Sequence, residues 1–552
     1  MATRCVKSKQ GMIGALLLAL GLTSADAAKP AGVVTPDKDA AAWVYRVQPG
    51  DNLFDLSAAY LIEGASWREL QRINKVADPL KLPPGSALRM PIRLLRREAS
   101  VAQAVFVQGD VSLLRAPNPP TAVQSGAELR SGDVLRTGEQ GSLTLRFVDG
   151  SRLLLAPRSD IAIEQLLIYG RSAVPAMQLR LRQGSADSKV QKSTQRPPDY
   201  ELRTTHLNLG VRGTEFRVQL ADNGTGTAAE VLEGSVAANA LRVEAGYGVL
   251  AAAGDAAPRL AKLAAAPELA EVATRLERIP LTLNWPPTPG ASAYRAQVYP
   301  AGDFERLLLD GRFASPRASW ADLPDGRYTL RVRAIDALGL EGLAADAAFT
   351  LKARPEPPFS RAPSDGATIY GDQVELAWTK SLKAQNYRLQ VATGNDFAAP
   401  LLDRADLNST EQALNLPPGR YAWRLASIAA GPDQGPFGDA QQFTVKPIPP
   451  TPALAPPEIG DKELQFRWAA APGVARYQLQ WASDAEFKQL ISEPQTTEPA
   501  LLLPRPSAGT YYLRVKSADA DGYAGPYGSA QVVEVPRSRW YWLLALGLLL
   551  LK

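Results

Sequence analysis

Trp285, Trp378 and Trp468 lie 93 and 90 residues apart, and four other landmarks keep the same spacing. They are Tyr294, Tyr387 and Tyr477; Phe304, Phe397 and Phe487; Gly326, Gly419 and Gly509; and Tyr328, Tyr421 and Tyr511. A period of this length, met three times, requires three copies of one folding unit in the C-terminal half. Each copy reads as a tryptophan strand ("LTLNW", "VELAW", "LQFRW"), a tyrosine strand ("YRAQV", "YRLQV", "YQLQW"), and a turn with a third strand ("PDGRYTLRVRA", "PPGRYAWRLAS", "SAGTYYLRVKS"). Short strands with regular turns predict β-sandwiches over 279–352, 356–446 and 452–536. The tryptophan and the tyrosine after the glycine are expected as core anchors, because large rings bury the most area.

The three units resemble fibronectin type III-like domains. Their late loops, "DALGLEG", "DQGPFG" and "DGYAGPYG", are where such a fold would carry an adhesive site, though no chemistry in them singles out a ligand.

The remainder of the 552 residues is too long for one further core, so a multidomain, mainly β chain is expected. Its start carries Arg4, Lys7 and Lys9, an apolar run from Met12 to Leu22, and the small-residue site Ala25-Asp26-Ala27. That pattern predicts a signal peptide over 1–28 and export to the periplasm or cell envelope. Cys5, the one cysteine, leaves with it. Disulfides, thiolate metal sites and cysteine nucleophiles are then excluded, and stability rests on packed cores. Without the leader the formal charge of +5 falls to about +3, too dilute for charge-driven nucleic-acid binding.

Residues 43–95 read as a strand, two helices and a strand. "PGDN" is turn chemistry that leaves Asp51 or Asn52 to cap a helix near Leu53. Leu53, Leu56 and Tyr60, then Leu70 and Ile73, fall at helical spacing, Pro79, Pro83 and Pro84 bar a longer second helix, and "ALRMP" returns as a strand. "YRVQPGDNLFDLS", "WRELQRIN" and "LPPGSALRMP", in this order, resemble the LysM domain. The resemblance implies binding of N-acetylglucosamine (GlcNAc) glycans, peptidoglycan above all, in a groove between two loops. On this chain those loops carry Gly50, Asp51, Asn52 and Leu53, and Leu80, Leu82 and Pro83. Neutral sugars are held by backbone and small polar groups beside an apolar floor, which suits them. Asn52 stands where the family usually has threonine, and Phe54 where it has tryptophan. The periodicity alone reads Leu53, Leu56 and Ile73 as core, and leaves Asp51 as helix cap or sugar ligand.

After a basic link, "RLLRRE", the period changes to two. "SLTLRFVDGSRLLLAP" alternates on each side of Asp149-Gly150, a strong hairpin signal, and predicts an all-β domain over 101–252. "SGDVLRTGEQGSLTLRFVDGSRLLLAPRSDI", "GVRGTEFRV", "VLEGSV" and "RVEAGYGVLA" resemble the FecR domain, which occurs in regulators of iron-uptake signalling and in surface proteins. "GVRGTEF" lacks the following helix that a phosphate loop needs. Gly210 and Gly213 are expected to bend the strand, Val211 and Phe216 to pack inward, and Arg212 to pair within its own domain. Arg180, Arg182, Lys189, Lys192, Arg196 and Arg203 form a basic run that reads as a solvated face or a polyanion contact.

Residues 259–278, rich in Ala, Leu, Glu and Arg, predict a helical spacer interrupted at Pro267. At the far end, 540–552 holds twelve apolar residues, about 18 Å of helix against the ~30 Å of a bilayer core. A membrane contact by this short hydrophobic tail and a buried terminal helix both remain open.

His206 is the only histidine. Histidine metal sites and Ser-His-Asp arrangements therefore lack partners, and no nucleophile elbow, P-loop or zinc-protease motif occurs. No enzyme activity, cofactor or metal is expected. The chain reads as an exported envelope protein that binds peptidoglycan, with an envelope protein as a further partner left open. A FecR-type signalling regulator and a purely structural adhesin or spacer are the alternatives.

Overall fold

The computed structural model describes residues 42–537, apart from 171–173, 193–199 and positions 212, 222 and 256. The expected signal peptide over 1–28, the tail over 540–552, Arg196 and Arg212 lie outside the described residues. The chain divides into two units, one ending at Lys262 and one beginning at Leu263.

In the first unit, strand Ala42–Arg46 pairs antiparallel with Ala87–Pro91 and encloses helices Leu53–Tyr60 and Trp67–Asn74. Asn52, rather than Asp51, caps the first helix: its side-chain oxygen accepts from Asp55 N at 2.9 Å. Ser66 caps the second, which ends before the prolines with Lys75 in the left-handed conformation at φ 54°. Leu53, Leu56, Leu70 and Met90 fill the core, while Ile73 is only partly buried against it.

The basic link proves to be structural. Ile92–Leu94 forms a 3₁₀ turn, Leu94 and Leu95 are buried, Ile62 N donates to Leu94 O at 2.9 Å and Arg96 N to Tyr60 O at 2.8 Å. Arg97–Ala99 then becomes an edge strand on Asp160–Tyr169 of the following β-domain. Tyr169 and Ala176 from that domain belong to the same apolar cluster as Trp43, Leu53 and Leu70. One core thus runs across the boundary.

The β-domain is two sheets, of nine and ten strands among the described residues, packed over one core. The chain steps between sheets at glycines followed by hydroxyl residues. "QGS" (183–185), "RGT" (212–214) and "EGS" (233–235) each mark such a step. Gly184 has φ +78°, and a Cβ there would lie 2.1 Å from Ser159 Oγ; Gly213 has φ +59°, and its Cβ would lie 2.7 Å from Lys192 Cγ. The backbone needs glycine at both for conformation and for space. Gly210 does not bend the chain as expected; it sits inside strand Asn208–Val211, paired with Glu201 and Ala237. Val211 and Phe216, on the two sides of the step, are buried as their alternation predicts.

The second unit holds three sandwiches. The first sets Leu281–Asn284 and Arg317–Trp320 against a five-stranded sheet, the second has sheets of three and six strands, and the third of three and five. Trp285, Trp378 and Trp468 are buried, each T-shaped against Tyr294, Tyr387 and Tyr477 at 5.5, 5.7 and 5.1 Å. Tyr328, Tyr421 and Tyr511 donate their hydroxyls to Pro324 O, Pro417 O and Ser507 O at 2.6, 2.8 and 2.9 Å, closing the turn before the third strand. The repeated phenylalanine covers an arginine: Phe304 over Arg331, Phe397 over Arg424 and Phe487 over Arg514, at 3.9, 4.1 and 4.1 Å.

Residues 259–278 are not the expected helix. Arg259–Lys262 extends the sheet of the β-domain beside Tyr247–Ala252. From Leu263 the chain lies along the first sandwich: Ala264 O accepts from Leu343 N at 2.9 Å, Leu269 and Val272 enter its core, and Arg275–Leu276 pairs parallel with Glu341–Leu351. Helix propensity favours these residues by only tenths of a kcal/mol each, whereas burying an aliphatic side chain contributes ~1.5–3 kcal/mol. Pro267 also withholds an N–H from any helix.

Candidate glycan groove and the surfaces beside it

Two loops flank the first helix of the small βααβ domain, residues 48–53 and 78–83. They are stapled together by a hydrogen bond from Leu53 N to Pro79 O at 2.8 Å. In the first loop, Asp51 accepts from Gln48 N at 2.6 Å and from Tyr45 Oη at 2.8 Å. Burial, together with the bond to the Asp51 carboxylate, pushes the Tyr45 phenol up to about 12. In the second loop, Asp78 accepts from Leu80 N at 2.9 Å and Lys81 N donates to Asp78 O at 3.2 Å, a closed turn.

The seven residues expected at the groove separate into two groups. Gly50, with φ +92° and open space where a Cβ would stand, is exposed at the lip, as are Leu80 (65% exposed) and Pro83, with Asp51 and Asn52 half-buried. Leu53 and Leu82 are 0% and 8% exposed. Their side chains belong to the core, because the apolar spacing that makes a helix amphipathic also turns them inward; they set the loops from below. Leu53 N is also taken by Pro79 O.

Sequence reasoning did not place the aromatic pair beside this site. Phe54, 40% exposed, packs on Trp67 at 4.5 Å between ring centroids, and the Arg68 guanidinium lies 5.1 Å from the Trp67 ring. Phe54 at the tryptophan position of the family was the available signal.

Four of the six basic residues of the β-domain's run are paired locally. Arg180 pairs with Glu164, Lys189 with Glu215 at 2.9 Å, Lys192 with Glu233, and Arg203 with Glu201 at 2.6 Å. Lys192 holds the Glu233 carboxyl below its usual range. For these four side chains the arrangement is that of a solvated face with local ion pairs; Arg182 is exposed and Arg196 lies outside the described residues. His206 bonds through Nδ1 to Thr227 Oγ1 at 3.2 Å in a cluster with Thr204. Among the described residues no group of three or more His, Cys, Asp or Glu is arranged to hold a metal ion, and no helix is long and apolar enough to cross a membrane.

The late loops of the second and third sandwiches are taken up partly by their own domains and partly by the preceding sandwich, through Asp433 on Lys352 and through Asp521 on Lys446. Phe437 and Tyr527 cover the second faces of Arg424 and Arg514 at 4.3 and 4.4 Å. Gly435 and Gly525 lie under the carbonyls of Pro355 and Pro449, where a Cβ would approach to 1.9 and 2.3 Å.

Residues 45–91 match the family model of the LysM domain, and residues 133–237 that of the FecR protein. LysM domains bind GlcNAc-containing glycans such as peptidoglycan, and the FecR match suggests a family of signalling regulators. Among solved structures, the chain is similar to the chicken CNTN1 FN1-FN3 domains at 15% identity and a TM-score of 0.23, over 47% of this chain and 94% of that one. The fibronectin(III)-like modules of Clostridium thermocellum CbhA align at 10% identity and a TM-score of 0.22, over 33% of this chain and 95% of that one. A putative anti-sigma factor from Parabacteroides distasonis aligns at 13% identity and a TM-score of 0.20, over 23% of this chain and 59% of that one.

Proposed function

We propose, from the premise that this chain carries a LysM domain and a FecR domain ahead of three fibronectin type III-like sandwiches, that it is an exported envelope protein which holds peptidoglycan between the loops 48–53 and 78–83. The supporting observation is the pair of loops joined by Leu53 N and Pro79 O, with Gly50, Leu80 and Pro83 left exposed over a buried floor of Leu53 and Leu82. An exposed apolar lip over a fixed backbone suits a sugar ring, which offers C–H faces and hydroxyls without charge. The FecR domain and the sandwiches serve as sensing, interaction or scaffold modules. No catalytic step is part of this reading.

Pulldown of the full chain by purified sacculi tests it. Removing residues 43–95 would strip cover from Tyr169 and Ala176, so a point change is the cleaner control. Leu80→Asp places a charge on a side chain that is already 65% exposed and leaves the core untouched. Retention of the wild type, with retention of Leu80→Asp lowered about tenfold or more, is the expected result; no retention of the wild type sinks the proposal.

The FecR match supports a second reading, in which the β-domain passes a signal to a regulator. Deleting the gene and finding envelope-stress and iron-uptake transcripts unchanged would remove that reading while leaving glycan binding intact.

A further inference from the structure

The polar side chains of the two groove loops are almost all spent inside the fold. Asp51 is taken by Tyr45 Oη and Gln48 N, and the Gln48 amide donates to Arg46 O at 3.0 Å. Asn52 accepts from Asp55 N at 2.9 Å and donates Nδ2 to Asp55 Oδ2 at 2.6 Å. Asp78 holds Leu80 N. Lys81 is the exception: its side chain is exposed, and among the described residues no hydrogen bond or ion pair engages its ammonium.

Its backbone, in contrast, is fixed. Lys81 N donates to Asp78 O at 3.2 Å, the neighbouring Pro79 O receives Leu53 N at 2.8 Å, and Leu82 on its other side is anchored in the core. A single uncommitted cation therefore stands on a rigid turn beside the exposed Leu80. A neutral GlcNAc polymer offers it only uncharged acceptors, the acetamido carbonyls and hydroxyls. A glycan in which the neighbouring sugar bears a carboxylate offers a charged one, through a charge-assisted hydrogen bond to the ammonium.

We propose that Lys81 makes this groove selective for GlcNAc glycans whose adjacent sugar carries a free carboxylate, as the lactyl ether of muramic acid does where no stem peptide is amide-linked to it, over neutral poly-GlcNAc. The proposal rests on the groove reading above and adds a discrimination to it. Lys81 sets the preference by charge, while the loop backbone and Leu80 hold the common sugar.

The test titrates the full chain with peptide-free GlcNAc–MurNAc tetrasaccharide and with neutral chitotetraose, for the wild type, Lys81→Gln and Lys81→Arg. The wild type should favour the acidic oligomer by about fivefold, the factor set by ~1 kcal/mol for an exposed ion pair. That preference should shrink as salt rises from low to physiological strength and beyond. Lys81→Gln should bring the ratio of the two affinities near one, and Lys81→Arg should keep it above one. A wild-type ratio of one, or a ratio that Lys81→Gln leaves unchanged, overturns the assignment while the groove reading stands. Saturable binding of neither oligomer by the wild type defeats the groove reading and this inference together. Circular dichroism of each variant separates a lost preference from a lost fold.

Discussion

Tyr45 fixes the first groove loop through Asp51, and its titration follows from that contact. The phenol is raised from 10 to about 12, so the folded state favours the neutral form. The stabilisation is fully present below pH 10 and is lost as pH rises through about 12. Difference absorbance near 295 nm should therefore show Tyr45 among the late-titrating tyrosines, with Tyr200 and Tyr370 also raised, and Tyr45→Phe should lower the late amplitude by one phenol. The same variant leaves Asp51 with one partner fewer and is expected to cost about 1 kcal/mol in urea unfolding. Residue-scale features were unevenly legible. The helix cap was read as Asp51 or Asn52, since both residue types cap helices and only the geometry shows that Asp51 is already taken. Leu53 and Leu82 were carried into the groove by family resemblance although periodicity alone called Leu53 core, and the periodicity was right.

At the scale of the element, the stretch from Leu263 to Leu276 is a strap on the first sandwich, where its composition asked for a helix. Local propensity is a small sum, and the decisive term, an apolar slot offered by a distant strand, cannot be read from twenty residues in isolation. Leu269→Ala should destabilise the first sandwich by ~2–4 kcal/mol, read as lost hydrogen-exchange protection in Gly326–Ile335; a solvated helical spacer would register almost no change. The repeated phenylalanine is the converse case. Its period was plain in the sequence, but its partner was not, because Arg331, Arg424 and Arg514 arrive on a later strand and the face they share exists only once the sheet has formed.

Across the second unit, the junctions between sandwiches are built from side chains that look like loop residues in the sequence. Tyr370 of the second sandwich stacks on Tyr523 of the third with ring centroids 3.7 Å apart and planes 4° from parallel. Its hydroxyl donates to Asp519 at 2.7 Å, and Lys446 pairs with Asp521. The bond from Tyr370 holds the Asp519 carboxyl below its usual range. The charge-assisted part of the joint is therefore complete above the ordinary carboxylate range and is lost as pH falls through the lowered range of Asp519, while the ring stack remains. Tyr370→Ala should broaden the distance distribution between fluorophores placed on the second and third sandwiches while leaving the melting of each sandwich little changed. Acidification well below about pH 4 should broaden the wild type in the same direction but by less, because the ring stack survives. Between the first and second sandwiches Arg278 forks onto Asp439, with its closer contact at 2.6 Å, and Lys352 meets Asp433 at 2.7 Å. The repeat period announces three sandwiches, and one junction contact repeats with them: Lys352 and Lys446, each following the residue paired with the repeated glycine, both meet the Asp that opens the next late loop, whereas the Tyr370–Tyr523 stack and the Arg278–Asp439 fork follow no period.

The apolar cluster shared by the LysM domain and the FecR domain has a mechanical meaning. Leu94, Leu95 and the edge strand Arg97–Ala99 leave no slack between the groove and the β-domain. A tether would let the β-domain swing about its point of attachment and would average out its heading. Here, if the groove holds glycan as proposed, a load applied there would pass into the strand Asp160–Tyr169, and the shared core would restrict the swing of the β-domain. Copies seated along one strand then face directions set by the helical pitch of the polymer, so the wall itself would dictate the pattern in which these domains are displayed.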